Sequence, residues 1–346
     1  MNVVELDPLT DDRWPAFVEQ HPASSVFHTR EWLRVLRSSY GYKPHVFAIP
    51  GSGEIRNAIV LCEVKSWVTG SRLVSLPFSD HCQPLTDSEG LTEILSYLNR
   101  RRLACGLKYV ELRPAAMEGT ELNSSFSASE RFLLQKIDLR RNLDTLYSGF
   151  HSSCIRRKIK RAERESLVYE SGRSDTMLLK FRELLLLTRR RHKLPPQPAS
   201  WFENIVQCLG ANVTVHLLSK GTTPVASIMT FAHKRVLTYK YGCSDASLSS
   251  LGGTPLLFWK VIQQAHSAGM EDFDLGRSGF EDPGLITFKE HLGAESAELV
   301  YLRNPISRPN QTEAFSKPKV WIRQALIQLP DSLFTGVGRL LYRHMG

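Results

Sequence analysis

The chain has 346 residues, 42% hydrophobic and 23% charged, with 44 Lys and Arg against 35 Asp and Glu, a formal net charge of +9. That length suits two cores better than one, the composition excludes general disorder, and no stretch approaches the roughly 18 consecutive apolar residues of a membrane span. The opening MNVVELDPLTDDRWPAF has neither the basic nor the apolar part of an export signal, so a cytoplasmic protein is expected, and the positive balance favours polyanionic partners.

Taken in chain order, the predicted elements occur twice, at an offset of roughly 165 residues, which suits a duplicated domain. An aromatic-led helix start at Glu31-Trp32-Leu33-Arg34-Val35-Leu36 returns as Ser200-Trp201-Phe202-Glu203-Asn204-Ile205. A hairpin from His45 to Ile49 and Ala58 to Val64 returns as Val213 to Leu218 and Val225 to Ala232. Alternating β-favouring residues around a glycine-containing turn are the reason for reading both as antiparallel pairs. A helix ending in Ala104-Cys105-Gly106 leads into Leu107 to Leu112, and a second ending in Ser267-Ala268-Gly269 leads into Met270 to Leu275. Both glycines suit the left-handed residue that stops a helix. The expected fold class is α/β (α+β): two similar halves in tandem, each a mixed, mainly antiparallel sheet flanked by helices. The expected domains are 1–140, 141–304 and a helical extension over 305–346. Six cysteines without C-x-x-C spacing indicate reduced, mostly buried thiols rather than a zinc site or a disulfide framework.

The second half carries Tyr239-Lys240-Tyr241-Gly242-Cys243-Ser244-Asp245, a helix from Pro255 to Ala268, Phe273-Asp274-Leu275-Gly276-Arg277-Ser278, Gly284 to Lys289 and Leu292-Gly293-Ala294. As an ordered set these resemble the FemAB-like family, and Leu76-Pro77-Phe78-Ser79-Asp80-His81-Cys82-Gln83-Pro84-Leu85 resembles its looser branch, found with exopolysaccharide and surface-sorting systems. The resemblance spans roughly residues 15–305. It implies a tandem GNAT fold and transfer of an acyl or aminoacyl group from an activated donor, aminoacyl-tRNA or acyl-CoA, to an amine of a phosphate-bearing cell-envelope or polysaccharide precursor. No bound cofactor and no metal are expected. Two departures stand out: nothing reads as the long helical hairpin of tRNA-using members, and Ser249 to Pro255 fits the GNAT pyrophosphate loop poorly. The alternatives are an acyl-CoA-dependent GNAT acetyltransferase and a non-catalytic tRNA- or precursor-binding protein.

Aminoacyl transfer needs an uncharged amine, stabilisation of a developing oxyanion and cations that hold phosphates. Lys289 matches the family lysine implicated in holding the transferred group; the competing reading is a solvated helix lysine. Asp274, at a predicted strand end, would orient the amine or take its proton; the competing reading pairs it with Arg277 or has it cap the next helix. Its first-half counterpart is Glu111, followed by Arg113. Tyr239 and Tyr241 alternate with Lys240, which puts both rings on one face of a strand, one in contact with substrate and at least one a core residue. Phe288 adjoins Lys289 as a substrate contact. The run Ile155 to Arg164 reads as a helix with Ile155, Ile159 and Ala162 inward, leaving Arg157 and Arg161 one turn apart as a diphosphate clamp or as a solvated basic face. Asp80 and His81 are expected as acceptor contacts in a cleft between the halves. At the C-terminus, helices at Val320 to Leu329 and Leu333 to Tyr342 suit either folding back onto the domain or peripheral contact with the inner membrane surface.

Overall fold

A computed structural model describes residues 2–67, 70–116, 125–305 and 330–344. In chain order these form β1 (Val4–Leu6), α1 (Arg13–Gln20), α2 (Arg30–Tyr40), β2 (Lys43–Pro50), β3 (Ile55–Val64), β4 (Arg72–Val74), α3 (Ser88–Ala104), β5 (Val110–Leu112) and β6 (Ser127–Asp138). There follow α4 (Leu143–Gly149), α5 (Arg157–Arg164), β7 (Val168–Gly172), α6 (Asp175–Arg191), α7 (Ala199–Leu209), β8 (Val213–Lys220), β9 (Thr223–His233) and β10 (Val236–Ser244). The last elements are α8 (Gly253–Ser267), β11 (Asp272–Ser278), α9 (Pro283–His291), β12 (Glu295–Asn304) and α10 (Asp331–Tyr342). They fall into two compact units, one made of the described residues up to 132 with 298–305 and 339–344, the other of 133–297 and 330–338.

In the first unit β1, β2, β3 and β4 pair antiparallel in that order, and β4 then runs parallel to β5 from Leu73/Val110 to Val74/Glu111. β5 is flanked on its other edge by Leu302–Asn304 of β12, antiparallel. The second unit repeats the pattern: β7, β8, β9 and β10 are antiparallel neighbours, β10 runs parallel to β11, and Leu133–Asp138 of β6 lies antiparallel along β11. Each unit therefore takes its last strand from the segment that follows the other unit's parallel pair.

The expected elements form for the expected reasons. α2 opens on Thr29, whose hydroxyl accepts the Trp32 amide, and buries Trp32, Leu33, Val35 and Leu36; α7 buries Trp201, Phe202, Ile205 and Leu209 in the same way. Gly106 (φ 61°) and Gly269 (φ 73°) are left-handed just past α3 and α8. α8 is buried nearly all round, from Leu256 to Ala265. It is the centre of the second core, between Ile159 and Ala162 of α5 and Ile228, Phe273 and Leu275 of the sheet. Each buried Leu, Ile or Phe side chain among them contributes about 1.5–3 kcal/mol on leaving water. In the first unit α3 packs Ile94, Leu95 and Leu98 against Phe47, Leu61 and Val110.

Two expectations change. All six cysteines are free thiols, but only Cys62, Cys82 and Cys243 are buried. Tyr239 and Tyr241 do not share a face, because the β9–β10 register shifts between them, Tyr239 facing Thr230 and Tyr241 facing Met229. An inserted residue reverses the alternation beyond it. Tyr239 accordingly packs on Phe258 of α8, and Tyr241 on Phe202 of α7.

Of the two C-terminal helices, Val320 to Leu329 lies outside the described residues. In α10, Phe334 is fully buried beneath the Arg190 guanidinium, 4.9 Å from the ring centroid, and Arg190 also pairs with Asp331; Leu333, Leu340 and Leu341 are exposed.

Candidate active site

The central feature of the second unit is a place where two parallel strands part. β10 and β11 pair from Val236/Asp272 to Thr238/Asp274 and no further, although β10 continues to Ser244 and β11 to Ser278. Both strands are irregular just beyond that point, β10 between Tyr239 and Tyr241 and β11 between Asp274 and Arg277 in its register with β6. Such irregularities bend a strand and increase its twist. Main-chain groups that leave a ladder need other partners.

Lys289 supplies one. It projects from α9, which starts at Pro283 and is capped by Asp282, whose carboxylate accepts the Leu285 amide at 3.1 Å. Its Nζ donates to the carbonyls of Gly276 (3.0 Å) and Arg277 (3.2 Å). In a regular strand successive carbonyls point opposite ways. Gly276 has φ 70°, a left-handed conformation that costs a side-chain-bearing residue about 1–2 kcal/mol, and it lies in the irregular stretch whose two carbonyls reach one ammonium. Lys289 is 3% exposed, which overturns the solvated-lysine reading. A buried ammonium is tolerable only with such hydrogen bonds.

Asp274 is 1% exposed, and its Oδ1 accepts the Gly276 amide at 2.8 Å. The cap of the following helix is Asp282, so that competing role for Asp274 is excluded. Gly276 thus joins the two predicted catalytic residues, donating its N–H to Asp274 and accepting from Lys289 through its carbonyl. Ser278, on the same strand as Asp274, opens a hydrogen-bonded chain that sequence reasoning missed, with Ser278 and Gln135 buried. Ser278 Oγ donates to Gln135 Oε1 (2.8 Å), and Gln135 Nε2 donates to the Ile286 carbonyl and to Ser296 Oγ, each at 3.3 Å. The available signal was an amide side chain set in the apolar run Phe132-Leu133-Leu134-Gln135-Lys136-Ile137.

The other predicted residues are placed as follows. Tyr241 is buried, and its hydroxyl accepts the Trp201 Nε1 hydrogen at 2.8 Å, a core bond. Tyr239 is half-buried, with its ring on Phe258. Phe288 and Lys289 are consecutive on α9, about 100° apart around the axis. Phe288 lines an open groove of about 410 Å³ together with Cys154, Lys158, Thr287 and His291. The basic run begins as a π-helical turn (Ser152–Arg156) that continues into α5, with Ile155, Ile159 and Ala162 buried as read. Arg157 and Arg161 are exposed on α5, and neither lines that groove.

Asp80 and His81 belong to the first unit. The Asp80 carbonyl accepts the Tyr301 hydroxyl at 2.6 Å, and His81 is buried edge-on to Phe27. Here the counterpart of Asp274 is Glu111, which is held by two guanidiniums. Arg113 Nε donates to Glu111 Oε1 at 2.9 Å, and Arg303 pairs with Oε2. Burial pushes the Glu111 carboxyl up, and the charges of Arg113 and Arg303 more than offset it, leaving it below the usual carboxylate range. Arg113 Nη1 also donates to the carbonyls of Leu76 (3.3 Å) and Ser79 (3.1 Å), which closes the loop after β4, where Leu76 (φ 31°) and Phe78 (φ 62°) are left-handed.

Comparison with known proteins agrees with this architecture. Residues 151–289 match the model of the acetyltransferase (GNAT) domain family. No curated protein matches the sequence. Among solved structures, FemX is similar at 15% identity and a TM-score of 0.67, covering 87% of this chain and 97% of its own. The C-terminal domain of a putative lysylphosphatidylglycerol synthetase from Agrobacterium fabrum is similar at 15% identity and 0.59, covering 86% and 92%. A tandem GNAT protein from the clavulanic acid biosynthesis pathway is similar at 12% and 0.55, covering 87% and 97%. The chain has the tandem GNAT, FemAB-like fold, and its second half carries the acetyltransferase (GNAT) domain match.

Proposed function

We propose that the chain is an N-acyltransferase of FemAB-like type that moves an activated acyl or aminoacyl group onto an amine of a cell-envelope or polysaccharide precursor. The observation that carries this reading is the parting of β10 and β11 at Thr238/Asp274, with the Lys289 ammonium held at the freed carbonyls of Gly276 and Arg277. In the reaction the amine nitrogen attacks the donor carbonyl. The C–N bond forms, the bond from carbonyl carbon to the leaving oxygen or sulfur breaks, and the amine proton passes to the leaving group. The Lys289 charge lowers the energy of the oxyanion that develops between these steps, most strongly where water is excluded. Asp274 orients the amine and accepts its proton in transit.

Aminoacyl-tRNA is the preferred donor. At the start of α8, where a GNAT pyrophosphate loop would bind, the α5 backbone packs so closely on Gly252 that a Cβ there would lie 2.5 Å from the Lys158 carbonyl oxygen. We read this close packing of α5 as disfavouring a diphosphate at that helix end. The exposed Arg157, Lys158, Lys160 and Arg161 suit the phosphates of an RNA or of the acceptor.

The test is donor consumption, followed by mass spectrometry, with aminoacyl-tRNA and acyl-CoA pools offered separately alongside precursor extracts. Consumption of aminoacyl-tRNA is expected, with Lys289→Met lowering turnover about 10²–10³-fold. Consumption of acyl-CoA alone would move the protein to the acetyltransferase alternative. Full turnover by Lys289→Met would remove the assigned mechanism.

A further inference from the structure

Two imidazoles and a thiol converge in the second unit, outside the Asp274–Lys289 pair. His151 caps the π-helical turn that carries Cys154, and His291 is the last residue of α9. The two segments are tied by the His151 amide, which donates to the His291 carbonyl at 2.9 Å, and the imidazole centroids lie 4.1 Å apart. One nitrogen from each ring and the Cys154 Sγ all lie within 4.8 Å of one another.

A tetrahedral zinc ion, with bonds of about 2.0–2.3 Å, needs its ligand atoms about 3.3–3.7 Å apart. Small rotations of three side chains, none of them buried, close that gap without moving the backbone. We propose that His151, Cys154 and His291 hold one divalent cation of the zinc class. A thiolate with two imidazoles favours zinc or cobalt over magnesium or calcium, which prefer oxygen. Three protein ligands leave a fourth position. Cys154 and His291 line the same open groove as Lys158, whose ammonium makes an anion the favoured fourth ligand.

Binding has a structural cost. His151 Nδ1 accepts the Cys154 amide at 3.2 Å, which places the ring proton on Nε2. Ligation through Nε2 moves that proton to Nδ1 and gives up the cap, while the Cys154 thiol proton is released to solvent. The assignment is independent of acyl transfer.

The experiment titrates metal-free, full-length protein with Co²⁺ and then displaces it with Zn²⁺. One equivalent is expected, with a thiolate-to-cobalt charge-transfer band that is lost in Cys154→Ser and requires at least tenfold more Co²⁺ in His291→Gln. Metal-free unfolding midpoints of both variants should match that of the parent. A Cys105→Ser, Cys208→Ser protein should keep the band. Absence of the band in the parent, or its survival in Cys154→Ser, overturns the site.

Discussion

Glu111 in β5 and Asp274 in β11 stand at matching places in two copies of one topology, each on the second strand of a parallel pair that follows an antiparallel meander. Their surroundings differ in kind. Glu111 is saturated by the guanidiniums of Arg113 and Arg303, and Arg113 goes on to tie down the loop after β4. Asp274 takes a main-chain amide from a glycine whose carbonyl holds a lysine ammonium, at the point where its strand leaves its neighbour. A duplicated strand-end carboxylate is thus an ion-paired structural tie in one unit, while in the other it is the residue to which the proposed function gives a catalytic role. The described contacts differ accordingly: two guanidiniums hold Glu111, whereas Asp274 accepts a main-chain amide.

Replacement of the carboxylates breaks or sharpens this contrast. The largest effect is expected from Glu111→Gln, which takes the carboxylate from Arg113 and leaves Arg303 only the more exposed Glu130 at 3.7 Å; it should cost about 3–5 kcal/mol in urea unfolding, with turnover per folded molecule unchanged. Because the folded-state pKa of Glu111 is depressed, its contribution is fully present above the ordinary carboxylate pKa and is lost as pH falls through the lowered folded value. Stability measured down an acid series should fall less steeply in Glu111→Gln than in the parent. Next comes Asp274→Asn, which keeps an acceptor for the Gly276 amide: about 1–3 kcal/mol of stability, but about 10²-fold or more of turnover, read by the donor-consumption assay. Equal turnover in Asp274→Asn and the parent would make both carboxylates structural. The smallest effect is expected from Tyr241→Phe, which removes the acceptor for Trp201 Nε1 and should cost about 1 kcal/mol in thermal or urea unfolding with no change in turnover.

Much of this was legible before any coordinates. The Trp32 and Trp201 helices, both hairpins, the Gly106 and Gly269 stops and the inward stripe of Ile155, Ile159 and Ala162 are local features, set by residue type and spacing over a few positions. The side faced by Tyr241 was not legible, because one inserted residue at a bulge reverses alternation and no residue between Tyr239 and Tyr241 announces it. The role of Gln135 was equally hidden, since its partners Ser278, Ile286 and Ser296 lie 143, 151 and 161 positions away. Counting cysteines alone likewise passed over Cys154, whose companions are histidines, one three residues before it and the other on α9.

The sequence by itself determined the duplication, the mixed-sheet class and the helices that carry the basic run and Lys289, because periodicity, caps and turn chemistry act over short spans. Tertiary structure alone decided that Glu111 is locked by an arginine 192 positions away and that the neighbouring strands part at Asp274. Burial, strand register and pairing partner depend on what the rest of the chain brings alongside, and no local window contains that information.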